Sequence, residues 1–167
     1  MTLSDQQLDR YARHIVLRDI GGAGQSKLLS SHVLLIGAGG IGCPAIQYLV
    51  AAGVGTISVV DNDTVALSNL QRQILYSDHD IGTAKVEAAG AAAARLNPDI
   101  TFNAIAQRIG KDTSANILAG VDVVIDGSDN FATRLIVNDL CLAAKVPLVS
   151  AAIGQFHGQI GTFTGWQ

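Results

Sequence analysis

The feature that most constrains the fold is a glycine-rich segment that follows an apolar run. The sequence from Val33 to Ile36 reads Val-Leu-Leu-Ile, and Gly37-Ala-Gly-Gly-Ile-Gly42 comes directly after it. Pro44 lies two residues later, in the first turn of a predicted helix, where its missing N–H costs nothing. A strand, a tight glycine turn and a helix together bring backbone N–H groups to a phosphate. The segment therefore predicts an α/β nucleotide-binding fold.

The rest of the chain alternates predicted strands and helices. A capping box at Ser4 and Gln7 predicts an N-terminal amphipathic helix. Residues 20–25 are expected to form a loop and residues 26–31 a short helix, while an alanine-rich segment, 82–96, predicts a long one. Parallel strands are predicted at Val33–Ile36, Thr56–Val60, Thr101–Ala106, Val121–Ile125 and Leu148–Ser150, with an antiparallel strand added within Gln159–Trp166. This order predicts a Rossmann-like, doubly wound, mainly parallel sheet with helices on both faces and an N-terminal helical extension.

Composition excludes several classes of partner. Of 167 residues, 49% are hydrophobic and 15% are charged, which is enough apolar sequence for one domain with a buried core. The net charge of −3 and the lack of a Lys/Arg run argue against nucleic acid and against an anionic membrane surface. The uncharged run from Val33 to Val60 could span a bilayer by length, but six glycines and Pro44 divide it. We interpret it as a buried strand, helix and strand.

The cysteines and the N-terminus indicate a cytoplasmic protein. Cys43 and Cys141 are far apart and form no CxxC pair, so zinc is not expected within this chain and both thiols are expected in the core. No pair of histidines has the spacing of metal ligands. The first residues mix acids and bases and lack the order of a signal peptide.

Acidic and basic residues after the glycine turn indicate which nucleotide binds. Asp61 ends the second predicted strand, where a carboxylate accepts hydrogen bonds from ribose hydroxyls. The turn and this acid alone would favour a nicotinamide dehydrogenase. Arg72 and Lys85 add two cations near the phosphate end, and this charge favours a triphosphate. Asp129 follows the fourth strand, at the sheet edge where such folds bind ligands, and suits a magnesium ion.

Taken together, these residues resemble the ThiF/MoeB/HesA family of ubiquitin-activating-enzyme-like adenylyltransferases. The resemblance covers essentially the whole chain, in the order and at the spacing of the family. Its most specific element is the Ser-Asn-Leu-Gln-Arg-Gln segment at 68–73. The other matching segments are Arg10-Tyr-Ala-Arg13-His-Ile, the glycine turn, Asp61, Lys85, Asp129-Asn130 and Pro147-Leu-Val-Ser150.

The resemblance implies a reaction and a set of site residues. ATP, with Mg²⁺, would react with the C-terminal glycine carboxylate of a ubiquitin-like sulfur-carrier protein, ThiS- or MoaD-like, in thiamine or molybdopterin biosynthesis. The products would be an acyl-adenylate and pyrophosphate. Arg13 is implied to act in trans in the partner's site of a homodimer, and Arg72, Lys85 and Asp129 complete the catalytic set, with Asp129 also linked to the metal. The implied nucleotide ligands are Gly37, Gly39, Gly40, Gly42, Asp61, Asn69, Arg72, Lys85 and Asn130.

Other interpretations of these residues stay open at this point. Arg13 is, without the resemblance, an ordinary solvated charge on a helix, and Asp129 could instead cap the helix that begins near Phe131. The alternative functions are an NAD(P)-dependent oxidoreductase, which lacks an obvious acid or base for hydride transfer, and a non-catalytic nucleotide-binding subunit.

The expected domain organisation has two parts. Residues 1–31 form the helical extension, which packs on the domain or on a dimer partner, and residues 32–167 form the ATP-binding adenylation domain. Relatives in this family usually continue with two zinc-binding CxxC pairs and a sulfur-handling cysteine loop. Neither occurs before Gln167, so we expect a fragment or a shortened form.

Overall fold

The computed structural model describes residues 3–166; the outermost residues of the two predicted parts, Met1, Thr2 and Gln167, lie outside this range. Helices and strands alternate through most of the chain, as the glycine turn and the apolar runs predict. The helices are α1 Asp5–Arg10, α2 Ala12–Ile15, α3 Gly21–Ser30, α4 Gly42–Ala52, α5 Lys85–Leu96 and α6 Phe131–Ala144. The strands are β1 His32–Ile36, β2 Thr56–Val60, β3 Thr101–Ile105, β4 Val123–Asp126, β5 Leu148–Ile153 and β6 Gly158–Phe163.

The strands form one sheet with the order β3-β2-β1-β4-β5-β6. The first five strands are parallel, and β6 pairs antiparallel with β5, which confirms the predicted sheet. Ile36 at the end of β1 is in register with Val60 on one side and Asp126 on the other. The strand order reverses between β1 and β4, and folds of this kind bind ligands in the crevice at that point.

Helices cover both faces of the sheet, and each face has its own apolar core. On one face, alternate side chains of β1 and β2, such as Leu35 and Val59, pack against Ile46 of α4 and Val86 of α5. On the other face, Leu34 and its neighbours pack in a second cluster with the apolar side of α6. Because both faces of the inner strands are buried, these strands are continuous apolar runs in the sequence.

The prediction for residues 20–25 is wrong, because α3 begins at Gly21 and continues to Ser30. Glycine has a low helix propensity, which favoured a loop. Tertiary contacts overcome it: Gln25 is fully buried, its Nε2 donates to the carbonyl of Ala52 at 2.9 Å and its Oε1 pairs with Nδ1 of His14 at 2.9 Å. The helix is therefore stabilised by packing rather than by local sequence.

The N-terminal helices are attached to the far end of α4. Ser4 caps α1 in a capping box with Gln7, as predicted. Tyr11 is buried, and its hydroxyl accepts a hydrogen bond from Nδ2 of Asn97 at 2.8 Å. The same amide group also donates to the carbonyl of Val50 at 2.9 Å. These contacts join the helical extension to α4 and to the end of α5, while the division of the chain into two domains stays a prediction.

Candidate nucleotide-binding site

A cleft of about 900 Å³ opens at the carboxyl ends of the parallel strands, over the crevice between β1 and β4. Its walls come from the glycine turn, the segment after β2, the start of α5 and the β4–α6 loop. Nine of the residues predicted from the sequence line this cleft: Gly37, Gly39, Gly40, Asp61, Asn69, Arg72, Lys85, Asp129 and Asn130. Gly42 and Arg13, which were also predicted, do not line it.

The glycines of the turn fall into two groups. Gly37 has a φ of 90°, which an L side chain rarely adopts. A Cβ on Gly42 would overlap the carbonyl oxygen of Gly37, so this glycine is required by packing. A Cβ on Gly39 or Gly40 would meet only flexible side chains, at 3.8 Å and 3.7 Å. The surface above these two glycines is therefore free for a ligand to approach the backbone.

Asp61 connects the end of β2 to the glycine turn. Its Oδ2 accepts a hydrogen bond from the backbone N–H of Ala38 at 2.7 Å, and its Oδ1 accepts one from the N–H of Asp63 at 2.8 Å. The carboxylate is half-buried at the cleft wall, so one face of it is fixed by the backbone. Each carboxylate oxygen can accept a further hydrogen bond, which suits the predicted contact with ribose hydroxyls.

Two cations line the cleft after β2. The side chain of Arg72 lies beside Gly40, and its Nη1 donates to the carbonyl of Ser68 at 3.1 Å. Lys85 is the first residue of α5, and its Nζ lies 2.9 Å from Oδ2 of Asp63. Asp63 was not predicted as a site residue, and nothing in its sequence position indicates that it pairs with Lys85.

Asn69 lies in a short 3-10 turn just before Arg72. Its Oδ1 accepts a hydrogen bond from the backbone N–H of Ala66 at 3.1 Å, which orients the amide at the cleft wall. The segment that was most specific in the sequence thus forms one compact turn along the cleft.

Asn130, rather than Asp129, caps α6. The Oδ1 atom of Asn130 accepts a hydrogen bond from the backbone N–H of Thr133 at 2.9 Å. The alternative in which Asp129 caps this helix is therefore wrong. Asp129 is exposed at the cleft wall, where its Oδ1 lies 3.4 Å from Nδ2 of Asn130. Within residues 3–166, no three His, Cys, Asp or Glu side chains come together as a metal site.

An ion pair between a partly buried arginine and a buried aspartate supports the β4–α6 loop, and it was not predicted from the sequence. Nη1 of Arg134 lies 3.7 Å from Oδ2 of Asp126 and donates to Oγ of Ser150 at 3.1 Å. Nη2 donates to the carbonyl of Ser128 and, at 2.8 Å, to that of Ala151. The side chain of Asp126 is 1% exposed. An acid at the end of an apolar strand was a usable signal, because a buried carboxylate needs partners.

Two buried polar side-chain atoms at the cleft have no hydrogen-bond partner among residues 3–166. They are Oε1 of Gln73 and Oγ of Ser128, in residues that are 3% and 8% exposed. Both residues line the cleft. Buried polar groups nearly always have a partner, so each of these atoms requires an explanation.

Two buried side chains that stay protonated, Tyr76 and Cys43, contact the backbone of the glycine turn. The hydroxyl of Tyr76 donates to the carbonyl of Ala38 at 2.8 Å, and Sγ of Cys43 lies 3.4 Å from the same oxygen. Burial raises the pKa of the Tyr76 hydroxyl and the pKa of the Cys43 thiol. Both groups are therefore neutral donors to the turn, and Cys43 and Cys141 are buried thiols, as predicted.

No helix in the described part of the chain has the length and apolar character that crossing a bilayer requires. The apolar stretch between Val33 and Val60 forms β1, α4 and β2.

Comparison with known proteins identifies a family. The model of the ThiF family matches residues 11–167. The chain is 50% identical to the SAMP-activating enzyme E1 of Haloferax volcanii over 97% of its length, and 48% identical to the molybdopterin-synthase adenylyltransferase of Escherichia coli, also over 97%. It is 45% identical to the sulfur carrier protein ThiS adenylyltransferase of Escherichia coli over 97%. It spans 60%, 65% and 64% of the lengths of these relatives.

Solved structures have the same fold. A crystal structure of SeMet PaaA superposes with a TM-score of 0.86 at 26% identity, over 97% of this chain and 52% of that one. The structure of TcdA (CsdL) gives a TM-score of 0.84 at 26% identity, over 90% of this chain and 59% of that one.

Proposed function

The chain belongs to the ThiF family, and we propose that it is an ATP-dependent adenylyltransferase. Its substrate is the C-terminal glycine carboxylate of a ubiquitin-like sulfur-carrier protein, ThiS- or MoaD-like, in thiamine or molybdopterin biosynthesis. The names of relatives that are 45–50% identical support this choice. The chain spans less than two thirds of the length of each of these relatives.

One observation supports the proposal: a single cleft contains a glycine turn open to a ligand, an acid suited to ribose hydroxyls and several cations, two of which follow β2. Asp61 lies at the end of β2, Arg72 lies beside Gly40 and Lys85 opens α5. A dinucleotide diphosphate carries two charges and is bound largely by backbone N–H groups. A cleft with more cations than a diphosphate requires fits the longer and more highly charged phosphate chain of ATP.

The chemistry needs positioning and charge neutralisation. A carrier carboxylate oxygen attacks the α-phosphorus, a new P–O bond forms, and the bond from the α-phosphorus to the bridging oxygen breaks as pyrophosphate leaves. Two anions must approach each other, so the cations lower the barrier by neutralising charge. The glycine turn holds the phosphate at a fixed place. No side-chain nucleophile or general base takes part, because the attacking carboxylate is already ionised.

The residues of the cleft fit a magnesium ion that is bound mainly by the nucleotide. Asp129 is the exposed carboxylate at the cleft that makes no ion pair in the described structure. Magnesium is commonly bound by one or two carboxylates together with substrate phosphates and water. Asp129 would hold it there, and the ion would supply further neutralisation of the phosphate oxygens.

Arg13 fits a role in a second copy of the chain rather than in its own cleft. Tyr11 and Gln25 attach its helix to the end of α4 at Ala52 and Gly53, whereas the glycine turn precedes the opposite end. An eleven-residue helix such as α4 is about 16 Å long. Arg13 is exposed and is outside the cleft. A homodimer in which Arg13 enters the partner's cleft gives this side chain a function.

The test is carrier-dependent exchange of labelled pyrophosphate into ATP, run against a panel of ubiquitin-like carrier proteins. The proposal expects exchange with at least one carrier and none with the same carrier after removal of its last glycine. Arg72→Ala should abolish exchange, while Arg95→Ala, which removes a cation on the exposed side of α5, should not.

Equilibrium binding separates the adenylyltransferase from an oxidoreductase. We expect ATP with magnesium to bind more tightly than NAD, because the cleft cations match the longer phosphate chain. Tighter binding of NAD, with no exchange against any carrier, would reject the proposal.

A further inference from the structure

The β4–α6 loop contains Ser128, whose backbone N–H and carbonyl both form hydrogen bonds with side chains. Its hydroxyl forms none with the described residues. The N–H of Ser128 donates to Oδ1 of Asp126 at 2.9 Å, and its carbonyl accepts from Nη2 of Arg134. Its Oγ is buried and has no hydrogen-bond partner in the described part of the chain. The two groups that hold the serine are themselves an ion pair, with Nη1 and Oδ2 at 3.7 Å.

The ion pair is connected to the sheet as well as to the loop. Oγ of Ser150 donates to Oδ2 of Asp126 at 3.2 Å and accepts from Nη1 of Arg134 at 3.1 Å. Arg134 also donates to the carbonyl of Ala151. All four contacts of the guanidinium are therefore made within the protein. Arg134 lines the cleft, but its hydrogen bonds are directed at the loop and at β5 rather than at a ligand.

An ion pair of this kind is an expensive way to gain stability, because the Asp126 carboxylate loses its hydration and the Arg134 guanidinium, whose side chain is 19% exposed, loses much of its own. Such pairs instead fix one geometry, and a planar guanidinium does so through several directed hydrogen bonds at once. Here the geometry that is fixed is that of Ser128 and of the residue that follows it, Asp129. An unsatisfied buried hydroxyl next to this pair indicates that its partner arrives with the ligand.

On these observations we propose that the hydroxyl of Ser128 binds an anionic oxygen of the reactants, and that Asp126 and Arg134 are positioning residues that present it. The inference rests on the proposed function for the identity of the reactants. The anionic oxygen belongs either to a phosphate of ATP or to the attacking carboxylate of the carrier. The ribose is not the partner, because Asp61 follows β2, which lies on the other side of β1 from β4.

The test combines calorimetric titration with ATP and magnesium with carrier-dependent pyrophosphate exchange. Ser128→Ala should weaken one interaction by about tenfold or more, the effect of losing a hydrogen bond to a charged group. Weaker ATP binding assigns the hydroxyl to a phosphate. Unchanged ATP binding with a raised KM for the carrier, or a lowered kcat, assigns it to the carboxylate. Ser58→Ala is the control for loss of a buried hydroxyl as such, since Ser58 lies outside the cleft and its Oγ is hydrogen-bonded only to His32 and Asn103 among the described residues. It should leave ATP binding and the KM for the carrier unchanged.

The positioning role is tested by coupling. Arg134→Lys keeps the charge but loses the planar fork, and should reproduce the defect of Ser128→Ala. In a Ser128→Ala background, Arg134→Lys should add little, because it acts through the same hydroxyl. A merely structural role predicts that the two effects multiply. If Arg134→Lys fails to fold by near-UV circular dichroism, Ser150→Ala, which removes one contact of the guanidinium, takes its place.

Two results would overturn the inference, and they differ from failure of the proposed function. Ser128→Ala with wild-type ATP binding and wild-type exchange rejects the hydroxyl as a ligand. Effects of Ser128→Ala and Arg134→Lys that multiply reject the positioning role. A wild-type chain that binds no ATP and exchanges no pyrophosphate instead rejects the adenylyltransferase, and this inference with it.

Discussion

The Nζ atom of Lys85 lies 2.9 Å from Oδ2 of Asp63, and the lysine is 7% exposed while the aspartate is 61% exposed. The ammonium group is thus neutralised by an acid at the cleft wall. A phosphate that binds Lys85 must compete with this acid, and it also meets the charge of the acid at short range.

The first prediction follows from this ion pair. Asp63→Asn should tighten ATP binding by about fivefold, since a unit charge a few ångströms away in water is worth roughly 1 kcal/mol. Lys85→Ala should weaken ATP binding. Calorimetric titration with ATP measures both effects. Asp139→Asn makes the same charge change on an exposed part of α6 outside the cleft, and should leave the affinity unaltered. Weaker binding by Asp63→Asn would show that the acid orients the lysine for the phosphate.

The second prediction separates the two groups of glycines. Gly42→Ala should destabilise the fold by about 1–3 kcal/mol, because the added methyl overlaps the backbone of Gly37. Gly40→Ala should leave stability within about 1 kcal/mol and yet weaken ATP binding, because its methyl would occupy the space proposed for the phosphate. Thermal unfolding and ATP titration of both variants measure these effects. Equal ATP affinity of Gly40→Ala and wild type would place the phosphate elsewhere.

Much of the fold could be predicted from the sequence because its signals are local. The apolar run before Gly37, the turn and the alanine-rich helix each specify their own structure, and their alternation specifies a parallel sheet. The error at residues 20–25 has the opposite origin. Gln25 pairs with His14 and with the carbonyl of Ala52, and contacts so distant in sequence leave no local pattern.

The same distinction applies to the candidate site. The position of Asp61, Arg72 and Lys85 at the cleft could be predicted because each has a residue type and a spacing with a chemical reason. The pairing of Lys85 with Asp63 could not be predicted, and although the position of Asp126 indicated a buried acid, its partner Arg134 could not be predicted either, since both pairings depend on how loops and helix ends pack in space. Asn130 as the cap of α6 was missed for a simpler reason: Asp129 and Asn130 are neighbours, and both residue types cap helices well.

The third prediction concerns the buried thiols. Burial, with a smaller contribution from the Asp126 carboxylate, raises the pKa of Cys141 to about 11. The thiolate is the reactive form, and less than about 1% of Cys141 is thiolate at pH 8, so its alkylation in the folded protein is slow. Native protein should resist iodoacetamide at pH 8 and react quickly in urea, as followed by mass spectrometry. Rapid alkylation of the native protein would contradict the buried setting of this residue.

The same pKa shift predicts a loss of stability in alkali. Above pH 9, the ordinary pKa of a cysteine thiol, the unfolded chain releases the Cys141 proton while the folded chain keeps it. The stabilisation is therefore complete below pH 9 and is lost as the pH rises toward about 11. Melting temperatures across this range should fall less steeply for Cys141→Ala than for wild type. Parallel curves would show that this thiol titrates alike in both states.

The last prediction tests whether Arg13 acts in the site of another subunit. Arg13→Ala and Asp129→Ala should each be nearly inactive in carrier-dependent pyrophosphate exchange, since arginines that neutralise phosphoryl groups elsewhere are worth about 10³-fold or more. A mixed dimer contains one cleft with an intact Asp129 and an intact Arg13 from its partner, so mixing the two variants should restore part of the activity. Arg18→Ala, an exposed cation of the same helical extension that does not line the cleft, is the control and should remain active. A mixture that stays inactive, although both variants are folded, dimeric and shown to exchange subunits, would mean that Arg13 does not act in trans.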